Sequence, residues 1–339
     1  MSPSADTPAL CRRFSVAPMM DWTDRHCRAF HRILTRCAVL HTEMVTADAV
    51  IHGDRQRLLG FSPQERPVVC QLGGSEPEKM ARAARIVAEW GYDGLDINVG
   101  CPSDRVQKGR FGAVLMKEPG TVAACAAAMM EAAGLPLSVK CRTGVDDMDE
   151  DEDLDRFIDT VADAGVKTFV VHARKAWLKG LSPKENREKP PLNRPRVHRL
   201  KRRRPDLEII VNGELATMED CRAELAFVDG VMMGRAAWQT PWVLAGVDDA
   251  LFGEAPPVSS PLEAVERFIP YVEERLSEGV PLNAMVKHIL GLFHGRPGAR
   301  LWRRHLSENA PRPGAGIEVL HQALEIVREH MARRAMEKS

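Results

Sequence analysis

Eight short apolar runs, separated by helix-forming segments, predict an α/β fold of the (β/α)8 type, the TIM barrel. Eight is the number of parallel strands that closes such a barrel, and no strand-like run follows Gly246. With 339 residues, 44% of them hydrophobic, the chain is long enough for a barrel and a smaller appendage. We therefore expect an N-terminal extension over 1–13, the barrel over 14–250 and a small C-terminal all-helical domain over 251–339.

Predicted strands and helices alternate along the barrel sequence. The strands span 14–18, 39–44, 68–72, 94–99, 137–140, 168–172, 209–212 and 230–233. Helix formers occupy 76–90, 121–133, 154–164 and 218–226, and several of these segments end at or near a glycine, as helix C-termini commonly do. The alternation is typical of β/α units around a parallel sheet.

The C-terminal region opens with the Pro/Ser/Gly-rich stretch FGEAPPVSSP. Ser260 and Glu263 have the spacing of a capping box, with Pro261 at the first helical position, so we expect a helix from there through Leu276. Further helices are expected over 283–293, 299–308 and 316–334.

Composition and charge narrow the class of protein. The sequence contains no apolar stretch long enough to span a membrane and no signal-peptide pattern, so we expect a cytoplasmic protein. Eight scattered cysteines without a CxxC pair argue against a zinc site and a disulfide framework, and we expect no metal. The net charge is zero, yet 146–155 hold eight acids and 172–204 hold thirteen Lys/Arg. These runs indicate either a charged partner or solvated loop faces.

Polar side chains end nearly every predicted strand. In chain order they are Pro18-Met19-Met20, Glu43, Gln71, Asn98 with Cys101, Lys140 with Arg142, His172, Asn212-Gly213-Glu214 and Gly234-Arg235. Any one of them could simply be entering solvent. In a barrel, however, the C-terminal strand ends surround one shared mouth, where active sites lie. The barrel prediction therefore carries with it the prediction of one active site.

The turns VNGEL and MMGRAAW follow the seventh and eighth strands, the usual phosphate position in this fold. Their backbone N–H groups and Arg235 suit a phosphorylated cofactor. Lys140 and His172 would then point toward the ring of that cofactor, and a flavin gives both a purpose. A cation about 4 Å from a reduced, anionic flavin contributes roughly 4 kcal/mol at an effective dielectric constant near 20.

Long motifs in order along the chain resemble the tRNA-dihydrouridine synthases, specifically their A subfamily. They are APMMDWTDRHCR, LHTEMV, QLGGSEP, DINVGCPSDRVQKGRFGAVLM, VKCRTGVDD, VVHARKAWLKGLSPKENREKPPL, VNGE and GVMMGRAAWQTPW, and the match runs from about 14 to 310. The resemblance implies an FMN-containing barrel that uses NADPH to reduce uridines in the D-loop of tRNA, around position 20, to 5,6-dihydrouridine.

The same resemblance implies roles for individual residues. The flavin would contact Pro18, Met19, Met20, Gln71, Lys140 and His172, and its phosphate would contact Asn212, Gly213, Glu214, Gly234 and Arg235. Cys101 would donate a proton, Asn98 would touch the uracil, and Lys184, Arg187, Arg300 and Arg303 would contact tRNA. Glu214 stands where many members of the family have a second glycine, so a role for its side chain is not implied.

Cys101 suits the chemistry that the resemblance implies. Reducing the uracil double bond needs a hydride at C6 and a proton at C5. A cysteine thiol, with an ordinary pKa near 8.5, is mostly protonated at neutral pH and can serve as the acid. The basic segment 105–112 would form a mobile flap, and flap closure would exclude water from the site.

The enzyme must also unstack the target uridine, which costs a few kcal/mol and requires contacts elsewhere on the RNA. Basic residues of 184–204 and of the helical domain would supply them in a cleft between barrel and helical domain. For the run LKRRRP (200–205) the alternative is that it faces away from the mouth and contributes only to solubility. The sequence leaves two alternatives, a flavin reductase acting on a free pyrimidine or other small molecule and a non-catalytic RNA-binding module. We expect no obligatory protein partner.

Overall fold

The computed structural model describes residues 10–336, and its centre is a barrel of eight parallel strands. They are β1 (Phe14–Val16), β2 (Leu40–Thr46), β3 (Val68–Gly73), β4 (Gly94–Asn98), β5 (Leu137–Arg142), β6 (Thr168–His172), β7 (Glu208–Asn212) and β8 (Gly230–Met233). The ring of strands closes between β1 and β2, where the Val16 N–H donates to the Val39 carbonyl at 2.9 Å. The predicted barrel is confirmed. Residues 1–9 of the predicted N-terminal extension lie outside the described residues.

The strand predictions differ from the structure by at most two residues at any end. β1 stops at Val16, although the Ala17 N–H still donates to the Met233 carbonyl at 2.8 Å, because Pro18 has no N–H with which to continue the ladder. β5 runs two residues further than predicted and brings Arg142 into the sheet. Its side chain therefore starts from a fixed strand position.

Helices follow the strands around the outside of the barrel. They are α1 (Arg25–Leu34), α2 (Ala47–His52), α3 (Arg55–Leu59), α4 (Pro77–Glu89), α5 (Asp104–Lys108), α6 (Pro119–Ala133), α7 (Glu152–Asp163), α8 (Arg194–Arg203), α9 (Met218–Glu224) and α10 (Arg235–Gln239). In α7 the buried residues Leu154, Phe157, Ile158 and Val161 recur at helical spacing and face the barrel. The four helices predicted between barrel strands are confirmed as α4, α6, α7 and α9.

Four α-helices follow the barrel among the described residues: α11 (Pro261–Ser277), α12 (Leu282–Val286), α13 (Ala299–Asn309) and α14 (Glu318–Met336). Ser260 caps α11, since its hydroxyl accepts the Glu263 N–H at 3.1 Å. The Glu263 carboxylate accepts the Ser259 N–H rather than that of Ser260, so only half of the predicted capping box forms.

The predicted helix over 283–293 is wrong beyond Val286, where the chain continues in turns. The reason is packing against the barrel. A Cβ atom at Gly291 would lie 1.8 Å from the Gln239 carbonyl oxygen, so only glycine permits this close approach of two backbones. The Ile289 carbonyl accepts the Trp302 indole N–H at 3.0 Å, which ties these turns to α13.

The acidic and basic runs of the sequence pair with each other. Arg199 of α8 contacts Asp151 at 2.7 Å, and Arg203 contacts Asp155 and Asp159 of α7 at 3.0 and 2.9 Å. Arg196 is almost fully buried between Asp151 and Asp155. The opposite charges therefore neutralise each other on the outside of the barrel. The interpretation that the 194–204 run faces a groove for RNA is corrected accordingly.

Among residues 10–336, no helix combines the length and apolar character that crossing a lipid bilayer requires. All eight cysteines lie in the described part of the chain and are free thiols, of which Cys101 is half-buried and five are buried.

Candidate active site at the mouth of the barrel

Side chains from neighbouring strand ends meet at one mouth, as the sequence predicts. The Asn98 amide at the end of β4 donates to the Gln71 side-chain oxygen on β3 at 2.8 Å. Across the barrel, the Lys140 ammonium group on β5 donates to the Asn212 side-chain oxygen on β7 at 3.1 Å. Because these residues belong to different strands of one closed sheet, their relative positions are fixed by the fold.

Asp96, a buried carboxylate within β4, orients the Gln71 amide from below. The Asp96 carboxylate accepts the Gln71 Nε2–H at 2.6 Å and the Ser138 hydroxyl at 2.7 Å. Burial raises the pKa of Asp96 to about 6, and these two hydrogen bonds oppose the shift. With its nitrogen fixed on Asp96, Gln71 must present its oxygen to Asn98.

Asn98 holds the loop that carries Cys101. Its side-chain oxygen accepts the backbone N–H groups of Gly100 at 3.2 Å and Cys101 at 3.0 Å, as in an Asx turn. The Cys101 thiol is half-buried and lies 3.5 Å from the Ser103 hydroxyl oxygen. The Asn98 oxygen is thus engaged by the backbone, and only the second N–H of its amide is left to reach a substrate.

Arg142 is a residue whose role the sequence interpretation missed. It is only 4% exposed and donates to three carbonyl groups, Gly100 at 2.8 Å, Lys175 at 3.1 Å and Asn186 at 3.0 Å. Burial lowers its pKa to about 10. Arg142 thereby joins the Cys101 loop to the long loop after β6. Its place at a strand end was visible in the sequence, but its carbonyl partners were not.

Lys140 and His172 lie in a strongly positive part of the mouth. Loss of hydration lowers the pKa of Lys140 to about 8, and the Asp96 carboxylate opposes that shift. Loss of hydration also lowers the pKa of His172 well below its usual range, as do the positive charges of Arg142, Lys140, Arg174 and Arg187. His172 is therefore neutral at physiological pH, and the surrounding cations favour an anionic ligand.

The two predicted phosphate turns lie side by side after β7 and β8, which are paired in the sheet. Gly213 has a φ of +131°, and a Cβ atom there would lie 3.0 Å from the Leu192 side chain, so the position requires glycine. Glu214 has a φ of 50°, and its carboxylate pairs with Arg174. Arg235, half-buried next to Gly234, pairs with Glu188 at 2.7 Å. The Glu214 side chain is thus held by Arg174.

The loop after β1 borders the mouth between the ends of β8 and β2. Pro18 and Met19 are half-buried, while Met20 is 53% exposed. The Asp21 N–H donates to the Glu43 carboxylate, which holds this loop against the middle of β2. Met19 and Met20 therefore stand at the rim, where a planar ring could lie against them.

A second cluster that the sequence did not reveal joins this loop to the C-terminal helices. The Trp22 and Trp238 rings stack with centroids 4.3 Å apart. The Trp238 indole N–H donates to His288 at 3.0 Å, and His288 contacts the Asp24 carboxylate at 2.9 Å. Lys287 adds an ion pair to Asp24 at 3.0 Å. Asp24 could be recognised as the cap of α1, but its partners lie more than two hundred residues away.

The four residues predicted to contact RNA lie in two places. Lys184 and Arg187 are exposed on the loop after β6. The Asn186 carbonyl, next to Arg187, accepts a hydrogen bond from Arg142, which also binds the Gly100 carbonyl next to Cys101. Arg300 and Arg303 are exposed on α13, and within residues 10–336 no carboxylate pairs with either. The structure thus brings Arg187 to the mouth and leaves the α13 arginines free in solvent.

Comparisons with known proteins agree with this geometry. A sequence model of the family described as Dihydrouridine synthase (Dus) matches residues 15–328. The chain is 56% identical over 326 residues to the tRNA-dihydrouridine(20/20a) synthase of Xanthomonas axonopodis pv. citri (strain 306), covering 96% of this chain and 97% of the relative. It is 53% identical over 313 residues to the protein of the same name from Vibrio vulnificus (strain CMCP6), covering 92% and 96%.

Among solved structures, the old yellow enzyme homologue from Zymomonas mobilis (NCR) superposes with a TM-score of 0.50 at 12% identity, over 68% of this chain and 86% of that one. A likeness at this level of identity shows the fold alone, and it agrees with the barrel described above.

Proposed function

The chain belongs to the dihydrouridine synthase family, and from this we propose that it reduces uridines at positions 20 and 20a of tRNA to 5,6-dihydrouridine. The observation that carries the proposal is the 56% identity, over 96% of this chain, to a relative named for that reaction at those positions. The enzyme class, an oxidoreductase, follows from the reaction itself.

We propose FMN as the cofactor and NADPH as the reductant. The residues at the mouth fit FMN in two respects. The positive charges of Arg142, Lys140, Arg174 and Arg187 act on a neutral His172, which suits an anionic ligand. The paired ends of β7 and β8 place two glycine-containing turns side by side, and Gly213 leaves no room for a side chain there. Pro18, Met19, Met20, Gln71, Lys140 and His172 would hold the ring and ribityl chain, and Asn212, Gly213, Gly234 and Arg235 the phosphate.

The FMN held by these residues, when reduced by NADPH, would supply the hydride that C6 of the uracil receives. Cys101 would release the proton to C5, from a loop whose position is fixed by Asn98 on one side and Arg142 on the other. The free N–H of the Asn98 amide would donate to a carbonyl of the pyrimidine. Lys140, fixed by Asn212, would place its positive charge beside the ring.

Lys184 and Arg187 near the mouth, with Arg300 and Arg303 on α13, would bind tRNA phosphates and offset the cost of unstacking the uridine. The Asp24–His288 contact would keep α12 and the neighbouring helices at a fixed distance from the β1 loop. The RNA contacts and the reacting base would thereby be held at fixed positions relative to each other.

The proposal is tested with purified protein, NADPH and an unmodified tRNA transcript. We expect dihydrouridine at positions 20 and 20a, a flavin released from the protein on denaturation, and no turnover of free uridine. Equal turnover of free uridine would favour a small-molecule reductase instead. A colourless protein that cannot be reconstituted with FMN would contradict the proposal.

A further inference from the structure

Trp177 is an exposed aromatic residue that the proposed reaction leaves without a role. It is 44% exposed on the loop after β6, while most other large apolar side chains of the described chain are buried. Exposed single apolar residues are common and need no explanation by themselves. Three further observations, concerning its backbone, its location and its neighbours, distinguish this one.

The backbone that carries Trp177 is fixed. The Asn186 side chain, fully buried, accepts the Trp177 N–H at 2.7 Å and donates to the Trp177 carbonyl at 2.9 Å. On the two sides, the Ala176 N–H donates to Gly144 at 2.9 Å and the Leu178 N–H to Asp146 at 2.8 Å. The indole is thus presented to solvent on a rigid support, so ordering it on binding costs little entropy.

The loop of Trp177 borders the Cys101 loop directly. The Gln107 amide nitrogen lies 2.9 Å from the Leu178 carbonyl and 2.8 Å from the Pro102 carbonyl, and so bridges the residues that follow Trp177 and Cys101. Arg142 makes a second bridge, from the Gly100 carbonyl to the carbonyls of Lys175 and Asn186. The backbone that carries the Trp177 ring therefore borders the Cys101 loop, where the reacting base would enter.

The neighbours of the ring are cationic. The Lys175 ammonium nitrogen lies 5.9 Å from the centroid of the Trp177 ring, and Lys179 and Lys184 are exposed further along the same loop. Asp146, the carboxylate that holds this loop, is neutralised by Lys117 at 2.8 Å. An exposed, rigid aromatic ring among cations is the arrangement that binds unstacked bases of single-stranded nucleic acids.

We infer that Trp177 stacks on a nucleobase of the tRNA D-loop adjacent to the uridine being reduced. The inference rests on the proposed function and deepens it, because the stack would hold the segment from which the uridine is extruded. Binding through a base face tolerates any base, so Trp177 would contribute affinity and positioning rather than sequence selection.

The test compares Trp177→Ala and Trp177→Phe with Phe227→Ala. Phe227 is the matched control, because it is 51% exposed and lies just before β8, at the end of the barrel opposite the mouth. We expect Trp177→Ala to raise both the tRNA Kd and the KM about tenfold, in the range for loss of a base–aromatic stack. Trp177→Phe should change them less than threefold, and Phe227→Ala should not change them.

Fluorescence gives an independent readout. Excitation selective for tryptophan should show quenching of the wild-type protein by tRNA, and Trp177→Phe should remove part of that quenching while keeping the affinity. Flavin content should match the wild type in all variants, and so should the Tm of the Trp177 variants, since that ring is exposed. The Tm of Phe227→Ala should fall slightly, because the Phe227 ring stacks on His198 with centroids 4.4 Å apart.

The outcomes separate the two hypotheses. Unchanged tRNA affinity and quenching in the Trp177 variants, with normal dihydrouridine formation by the wild type, would overturn the stacking inference and leave the function intact. Failure of the wild type to form dihydrouridine in tRNA would overturn the proposed function itself, whatever the variants show.

Discussion

The Asn98 side-chain oxygen lies 3.0 Å from the Cys101 backbone nitrogen and accepts its hydrogen bond. One amide therefore links the end of β4 to the residue proposed as the proton donor. The same amide donates to Gln71, which Asp96 orients in turn, so a chain of hydrogen bonds runs from the barrel interior to the Cys101 loop. Substitutions at Asn98 and at Asp96 each interrupt this series of hydrogen bonds.

Asn98→Ala should loosen the Cys101 loop, because two backbone N–H groups lose their acceptor. We expect a loss of stability of about 1–2 kcal/mol and, because small displacements of reacting groups are costly, a fall in dihydrouridine formation of at least tenfold. Alkylation of Cys101 by iodoacetamide, followed by mass spectrometry, should be faster than in the wild type. Asn98→Asp keeps the acceptor oxygen and should retain slow alkylation; equal alkylation rates in all three proteins would refute the positioning role.

Asp96→Leu should leave the Gln71 Nε2–H without its acceptor and leave the Ser138 hydroxyl with only the Leu95 carbonyl, at 3.3 Å. We expect a loss of about 2–4 kcal/mol in the free energy of unfolding together with weaker FMN binding. Asp96→Asn keeps the shape and an acceptor oxygen but removes the negative charge opposite Lys140. That variant should be nearly as stable as the wild type, with a raised flavin midpoint potential. A midpoint potential unchanged in Asp96→Asn would show that the carboxylate does not act on the flavin site.

FMN binding should depend on pH through Lys140, whose pKa is lowered to about 8 by loss of hydration. Below that pH the lysine is already charged. Above it, binding of the anionic cofactor must take up a proton, so affinity should fall as pH rises, by up to about tenfold per pH unit. Fluorescence titration between about pH 7 and 9.5 measures this slope. Lys140→Met should bind FMN more weakly at neutral pH and show no such slope; the wild-type slope in that variant would exclude Lys140.

Arg300→Ala combined with Arg303→Ala should weaken tRNA binding and reduce its dependence on salt. Each lost phosphate contact lowers the slope of log K against log salt by roughly 0.7–0.9. The matched control is Arg199→Ala with Arg203→Ala, which removes the same charge from α8. There Arg199 already pairs with Asp151, just before α7, and Arg203 with Asp159 of α7. That double variant should leave the salt slope unchanged. Equal effects of the two double variants would indicate attraction by overall charge rather than a defined RNA contact.

The sequence predicted the barrel strands well because most are short apolar runs bounded by abrupt changes in composition. β6 and β8 have the predicted ends, and the polar residues at the strand ends do meet at one mouth. The sequence did not reveal that Asp96, an acidic residue inside an apolar strand, orients Gln71, because its partners Gln71 and Ser138 come from other strands.

Charge and helix length were harder to interpret from the sequence. The arginines of α8 looked available for RNA, and only the packing of α8 against α7 shows that they are paired. The helix predicted over 283–293 ends early because Gly291 packs against the Gln239 carbonyl, a contact that helix propensity cannot report. In each case, residues distant in sequence decide the outcome.

The central claim is that Cys101 donates the proton to a uracil reduced at this mouth. The most direct measurement is the dihydrouridine yield of Cys101→Ala with tRNA and NADPH, alongside its flavin content and its NADPH oxidation in the absence of tRNA. Loss of a general acid typically costs about 10²–10⁴-fold in rate. We therefore predict normal flavin content and NADPH oxidation with dihydrouridine formation reduced at least a hundredfold. Dihydrouridine formation at the wild-type rate in Cys101→Ala would contradict the assignment.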